Sequence, residues 1–323
     1  MDLQDHTLPE LRDLTEATLA IASAHEAGIF QALVREPADA ATLAQRLDLD
    51  PRATTTVCQA LAEMGLLEDG DSGYRPTEDC LEELCDPDAP GYVAGGLSHW
   101  LSSMKSWVRL EEVIRRGGPL EKRPDRRDAT RVRRFMSAMA AAPAERIQRI
   151  VEHCLQRNPD ARTMLDVGGG PGLMSRAFVE RGISATLLDT PDVVEYVVEA
   201  FDLGGVEGLE VVTGDFNEAL PAGPFDVVLL SNVLHIYAPE RNRTLLTRSA
   251  DVLAPGGVAA VAEFLRGRSP RAARFGVQML LHTDEGNAYG QEELSDWLVE
   301  AGLTDVQVSD LDADRQLVTA VKT

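Results

Sequence analysis

The spacing of apolar residues changes character near residue 160. Up to about residue 90 they recur at helical spacing in short, well-punctuated segments. Stretches 8–20 and 23–33 are predicted as amphipathic helices. Asp39 is placed to cap a helix over 40–47, and Pro51 opens another, over 53–64, that stops at Gly65. Segment 66–76 carries Gly70 and Gly73 and reads as a hairpin. Helix, helix, helix, hairpin is the outline of a winged helix in an otherwise all-helical N-terminal domain. Between 91 and 155 the helical period continues, and Trp100, Met104, Trp107 and Leu110 read as one core stripe. From Thr163 short apolar runs alternate with helical patterns. Strands are predicted at 163–167, 185–189, 209–213, 225–231, 257–264, 305–309 and 316–321. Thr190 is placed to cap a helix opened by Pro191, Pro239 opens a second, and 251–257 closes it. This pattern predicts an α/β fold with a Rossmann-like doubly wound sheet and ligand sites at the strand C-termini. Three regions follow: 1–90 helical, 91–155 a connector, and 156–323 the α/β domain.

Composition narrows the partners. The chain has 323 residues and a net charge of -22, which repels phosphate backbones and anionic membrane surfaces. The winged-helix outline invites a DNA-binding reading, yet its recognition helix offers Arg52 as its only cation beside Thr54, Thr55, Thr56 and Gln59. Protein contact, as a dimer interface, is the expected role. Nine of the 31 basic residues lie between Arg115 and Arg134, a run broken by Gly117, Gly118, Pro119 and Pro124, and read as a solvated face. The N-terminus shows no secretory pattern, and no apolar run has the length of a membrane span. Cys58, Cys80, Cys85 and Cys154 form no CxxC pair and no zinc spacing, so reduced thiols in the cytoplasm are expected.

The chemistry concentrates where strands end. Leu165-Asp166-Val167-Gly168-Gly169-Gly170-Pro171-Gly172 is a strand running into a glycine turn. Its glycines at 168, 170 and 172 depart from a dinucleotide fingerprint, which places its last glycine where Leu173 stands. Asp166 ahead of the turn suits a cationic ligand better than a diphosphate. Asp189 ends the next strand, placed for ribose hydroxyls. A nucleoside bearing an ammonium and a sulfonium fits both acids. Asp215 and Phe216 follow the third strand and suit the edge and face of an adenine. Ser231 closes the fourth strand, and His235 follows it where a transferred methyl would sit. A histidine there can take a proton from an acidic hydroxyl.

These residues resemble motif I and the later strands of class I S-adenosylmethionine-dependent methyltransferases. More closely, the chain resembles small-molecule O-methyltransferases that join a winged-helix dimerisation domain to a Rossmann-like methyltransferase domain. The resemblance runs through Ser106-Trp107, Gly117-Gly118-Pro119, Leu188-Asp189-Thr190-Pro191, Gly214-Asp215-Phe216, Asn232-Val233-Leu234-His235, Leu253-Ala254-Pro255-Gly256-Gly257 and Ala262-Glu263-Phe264. It implies that S-adenosyl-L-methionine is held by Gly168, Gly170, Asp189, Asp215 and Phe216, with Asp166 and Ser231 beside them. It makes His235 a general base and Glu263 the acid that orients it. It further implies a homodimer formed through the N-terminal domain and a small aromatic or polyketide-like acceptor. Trp107, Met136, Met139, Met279 and His282 are the expected acceptor-pocket residues.

Two departures matter. The family's histidine is commonly followed by Asp-Trp, here Ile236-Tyr237, and a second orienting glutamate falls near Ala288. His282 also opens an alternative in which His235, His282 and Asp284 or Glu285 hold a metal for C-methylation of a 2-oxo acid. A nicotinamide dehydrogenase and a ligand-sensing winged-helix regulator remain as further readings.

Overall fold

Val227, Val228, Leu229 and Leu230 are all fully buried, as expected of a parallel strand covered on both faces. They sit at the centre of the sheet in a computed structural model that describes residues 5–87, 89, 91–120 and 129–323. Residues 1–4 and the middle of the basic run, including Pro124, lie outside the described residues. The chain divides into two compact units, Met1–Lys105 and Ser106–Thr323.

The first unit contains α1 (Leu8–Glu26), α2 (Ile29–Arg35), α3 (Ala40–Leu47), α4 (Pro51–Glu63), a hairpin of β1 (Leu67–Gly70) and β2 (Gly73–Pro76), and the short α5 (Glu78–Cys80). Side chains start these helices: Asp39 accepts from Thr42 N at 2.8 Å and Asp50 from Ala53 N at 2.8 Å. Phe30, Leu33, Leu43 and Leu61 are buried in its core. The first two helices divide at Ala27–Gly28 rather than after residue 20. Gly28 takes the left-handed conformation that ends a helical run, whereas Ile21 and Ala22 continue it.

The unit boundary falls within α6 (Leu97–Trp107), followed by α7 (Leu110–Arg116), α8 (Ala129–Ala140) and α9 (Ala144–Arg157). The expected stripe therefore spans two helices, with Leu110 opening the second. The rest of the chain runs β3 (Thr163–Val167), α10 (Leu173–Val179), β4 (Ser184–Asp189), α11 (Pro191–Ala200), β5 (Leu209–Thr213), β6 (Phe225–Ser231), α12 (Pro239–Asp251) and β7 (Leu253–Glu263). It closes with α13 (Pro270–His282), α14 (Gln291–Glu300), β8 (Leu303–Asp310) and β9 (Gln316–Lys322).

Among the described residues these last seven strands form one sheet, ordered β5-β4-β3-β6-β7-β9-β8. β3 through β7 are parallel, and β9 is antiparallel to both β7 and β8. Alternation along the strands divides the core. Val228 and Leu230 join Leu245, Leu246, Leu294 and Trp297 of α12 and α14 on one face. Val227 and Leu229 join Ile147, Ile150, Ala177 and Phe178 of α9 and α10 on the other.

Local details differ from the sequence-based expectations. Leu253 pairs with Phe225, so residues 253–257 begin β7 instead of closing the preceding helix, which ends at Asp251. Thr190 occupies the cap position of α11, but its side chain makes no capping bond. Its own N–H donates to Asp189 Oδ1 at 2.7 Å. Among the described residues the four cysteines are free thiols, Cys58, Cys80 and Cys154 buried. No single described helix is long and apolar enough to cross a membrane.

Candidate active site

The order β5-β4-β3-β6 brings the ends of four parallel strands side by side, and each delivers one element of the site. β3 runs into the glycine turn, where Gly168 N donates to Leu188 O at 2.8 Å. Gly168 and Gly170 both have positive φ, which a side chain resists. Gly169 is fixed by space: a Cβ there would stand 2.6 Å from Leu187 Cγ and 2.9 Å from the Asp166 carboxyl. Asp189, at the end of β4, secures the turn through Oδ2, which accepts from Gly170 N at 2.9 Å. Burial pushes the Asp189 pKa up against these hydrogen bonds.

Asp166 is turned into the core. It is 1% exposed, its Oδ2 accepts from Ser175 Oγ at 2.7 Å, and burial, with Asp189 nearby, pushes its pKa up to about 6. Asp166 thus braces the glycine turn on α10, where the sequence suggested a partner for a cation. Asp215 follows β5 and is half-buried. Its Oδ1 accepts from both Asn217 N, at 2.8 Å, and Asn217 Nδ2, at 2.9 Å. Phe216 is buried beside Gly168 and stands edge-on to Tyr237 with ring centroids 6.1 Å apart. Ser231 ends β6, and its Oγ accepts from Asn232 Nδ2 at 3.3 Å.

His235 lies in a single 3₁₀ turn, Leu234–Ile236, directly after β6. Glu263, at the end of neighbouring β7, is 3% exposed and holds this turn with both oxygens. Oε1 accepts from Leu234 N at 2.9 Å and His235 N at 3.4 Å, while Oε2 stands 2.8 Å from His235 Nδ1. A carboxylate there fixes the proton on Nδ1 and leaves Nε2 as the acceptor. The turn's carbonyls are held as well. Asn242 Nδ2 donates to Leu234 O at 2.9 Å and Tyr237 O at 3.2 Å, Asn287 N donates to His235 O at 3.0 Å, and Tyr289 Oη donates to Tyr237 O. The His235 ring packs edge-on against Phe275 of α13, centroids 4.8 Å apart.

Ala288 is buried, with its N–H on Asn287 Oδ1, so the loop before α14 contributes backbone to the His235 turn rather than a second acid. The metal alternative fails on geometry. Among the described residues no three His, Cys, Asp or Glu side chains gather to hold an ion. Glu285 pairs with Arg241 at 3.4 Å, and Asp284 is exposed.

The expected acceptor-pocket residues divide. Trp107 Nε1 donates to Gln278 Oε1 of α13 at 2.5 Å. Met279 is buried on the same helix, and His282 ends it, half-buried. Met139 is half-buried near the end of α8. Met136 is the exception: it is buried with Leu187, Val197 and Leu203, and its sulfur stands 3.4 Å from where a Gly170 Cβ would lie. It packs beside the glycine turn.

Sequence reasoning passed over Asn242, Tyr289, Phe275 and Arg315. For Asn242 a signal existed. It shares the buried face of α12 with Leu245, Leu246 and Ser249, and a polar residue on an apolar stripe needs a partner. Arg315 stands on the loop between β8 and β9 and donates to Asn232 Oδ1, and its guanidinium lies over the Phe264 ring, 3.9 Å from the centroid.

A Rossmann-like sheet with a glycine cradle, an acid at each of the next two strand ends and a histidine after the fourth defines an S-adenosylmethionine-dependent methyltransferase. The family model described as an O-methyltransferase domain matches residues 123–304, and the chain belongs to that family. It is 30% identical to the 3-hydroxy-5-methyl-1-naphthoate 3-O-methyltransferase of Streptomyces sahachiroi, over 90% of this chain and 87% of that protein. It is 29% identical to the tetracenomycin polyketide synthesis 8-O-methyl transferase TcmO of Streptomyces glaucescens, over 90% and 88% of the two chains. Among solved structures, PigF with SAH superposes with a TM-score of 0.84 at 24% identity over 100% of both chains. Human N-acetylserotonin methyltransferase in complex with SAM gives 0.84 at 22% identity, over 100% of this chain and 98% of that one.

Proposed function

We propose that this protein transfers a methyl group from S-adenosylmethionine to a hydroxyl of a small aromatic or polyketide-like metabolite, with His235 as general base. The observation that carries the reading is the buried Glu263 carboxylate 2.8 Å from His235 Nδ1, which leaves Nε2 free to accept a proton. The names of the two Streptomyces relatives, a naphthoate and a tetracenomycin O-methyltransferase, support the acceptor class.

The residues present fit the methyl donor. Gly168 and Gly170 leave space that side chains would fill. Asp189 has lone pairs left for ribose hydroxyls, and Asp215 Oδ2 is open to an adenine amino group while Asn217 fixes Oδ1. Phe216 covers the base, and Ser231 and Met136 stand on the methionine side. Asp166 acts through Ser175 on the turn. When bound, the sulfonium supplies an electrophilic methyl group.

His235 Nε2 takes the hydroxyl proton as the oxygen–carbon bond forms and the sulfur–carbon bond breaks, leaving a neutral thioether. Glu263 stabilises the resulting imidazolium. Holding oxygen, carbon and sulfur in line supplies much of the rate. Trp107, Met139, Met279 and His282 are proposed to contact the acceptor.

Beyond the site, we read 1–90 as a winged-helix dimerisation domain, 91–155 as a connector that helps enclose the acceptor, and 156–323 as the catalytic domain of a cytoplasmic homodimer. The exposed apolar Leu8 and Leu14 on α1 and the reduced thiols support this part. The test is incubation with carbon-13 methyl-labelled S-adenosylmethionine and a panel of phenolic naphthalenes and anthraquinones. An aryl methyl ether signal is the expected product. Label on carbon or nitrogen alone, or none with any acceptor, contradicts the proposal.

A further inference from the structure

Three arginines meet beside the end of β7, and two of them have carboxylates of their own. Arg146 pairs with Asp312 at 2.5 Å and Arg271 with Asp314 at 3.2 Å. Arg315 has none: among the described residues no carboxylate lies within 4.0 Å of its guanidinium, and its one side-chain hydrogen bond goes to Asn232 Oδ1. Burial, with Arg146 nearby, lowers its pKa to about 10. The guanidinium stacks on Phe264 and lies in the field of Glu263 and Asp312, but it spends one donor on a neutral amide and leaves most of its hydrogen-bonding fork unused.

Its location gives the charge a purpose. Gln316, the next residue, pairs with Glu263 in the sheet, so Arg315 stands at the edge from which Glu263 and His235 project. Asn232 and Phe264, which it touches, are the first residues beyond β6 and β7. Phe264 packs on Phe275 at 4.4 Å between centroids, and Phe275 packs on His235 at 4.8 Å. Phe264, which carries the guanidinium on its face, and Phe275 therefore lie between this cation and the base. A chain with a net charge of -22 repels anions from most of its surface, so an anionic acceptor needs such a local cation.

We propose that Arg315 binds a carboxylate on the acceptor, so that the substrate is a hydroxyaryl carboxylic acid whose acid and hydroxyl groups stand at opposite ends of its ring system. The inference rests on the methyl-transfer reading for the position of the acceptor. Guanidinium and carboxylate match as two parallel hydrogen bonds, a geometry that fixes ring orientation as well as affinity.

The test is calorimetric binding to the protein loaded with S-adenosylhomocysteine. The probes are 4-hydroxybenzoate, 6-hydroxy-2-naphthoate and a hydroxyanthracene carboxylate with its two groups at opposite ends, each beside its carboxamide. The acid is expected to bind at least ~10-fold more tightly than its amide for at least one ring size. Arg315→Met brings that ratio close to one, and Arg315→Lys keeps part of it. Acids and amides binding alike across the panel would overturn the proposal. So would Arg315→Met weakening both members of a pair equally, which makes Arg315 a brace for Asn232. If Arg315→Met does not fold, the wild-type ratio and the lysine variant decide. Because the readout is binding, methyl transfer to phenols without any acid preference sinks this inference alone. An acid preference with no methyl transfer sinks only the activity it rests on.

Discussion

Replacing Glu263 by glutamine changes almost no volume and removes the charge that faces His235. The nitrogen–oxygen separation is 2.8 Å and both residues are buried, so the gross attraction between carboxylate and imidazolium is about 6 kcal/mol at an effective dielectric of about 20. Part survives in the glutamine because its carbonyl oxygen still accepts from Nδ1. That orientation points the new amide donors at Leu234 N and His235 N, which are donors themselves. The opposite orientation satisfies the backbone and faces an N–H toward Nδ1, which moves the ring proton to Nε2 and abolishes the base. Either way about half of the gross term is lost, roughly 3–4 kcal/mol, or a fall in kcat of ~10²–10³ at 1.36 kcal/mol per decade. The assay is S-adenosylhomocysteine release under saturating acceptor, beside calorimetric titration of S-adenosylhomocysteine. The cofactor affinity is expected to hold within about twofold, because Glu263 makes no contact with the glycine turn. A Glu263→Gln enzyme within threefold of wild-type kcat, or one that loses cofactor binding instead, refutes the reasoning.

Other outcomes follow from single contacts. Gly169→Ala drives a methyl into Leu187 and Asp166 and lowers S-adenosylhomocysteine affinity at least ~10-fold by titration, because the turn must move. An unchanged affinity removes the steric argument. Asn242→Ala frees two carbonyls of the His235 turn and costs roughly 2–4 kcal/mol in urea unfolding, with a drop in kcat but not in cofactor affinity. Asn242→Asp, which sets a carboxylate against the same carbonyls, is expected to be worse, and equal stability of the two variants contradicts the role. Asp166 has a folded pKa of about 6, above its unfolded value, so its contribution to stability is present below about pH 4 and is lost as pH rises to about 6. The wild-type minus Asp166→Asn difference in unfolding free energy should fall across that window by up to ~3 kcal/mol. A flat difference shows that the carboxyl ionises as freely in the folded protein as in the unfolded one.

The sheet was legible because β3, β4, β6 and β7, largely buried, leave short apolar runs that little else produces, and the edge strand β5 still opens by alternating apolar and polar residues. Their predicted and observed limits agree within a residue or so for β3 through β6. β7 ran longer than expected because Leu253 pairs before the Pro255-Gly256-Gly257 irregularity, and proline and glycine read locally as a loop. The candidate site was legible in position wherever a strand end announced it: Asp189, Asp215, Phe216, His235 and Glu263 follow or end strands that lie side by side. Side chains arriving from elsewhere were not. Arg315 precedes the last strand by one residue, and Tyr289 follows a loop, so nothing in local spacing links either to His235. Asn242 was visible in principle as a polar residue on the buried stripe of α12. That Met136 packs beside Gly170 was not legible, because helical spacing says which face of α8 is apolar, not which neighbour that face meets.

On the proposed mechanism His235 removes the acceptor proton through Nε2. The direct measurement is kcat for His235→Asn against wild type with two phenols of matched shape, one weakly acidic and one already ionised at the assay pH. A general base at His235 predicts a deficit of ~10²-fold or more for the weakly acidic phenol and little or none for the ionised one. The same deficit for both phenols would contradict it, since His235 would then be acting on binding or fold and not on the proton.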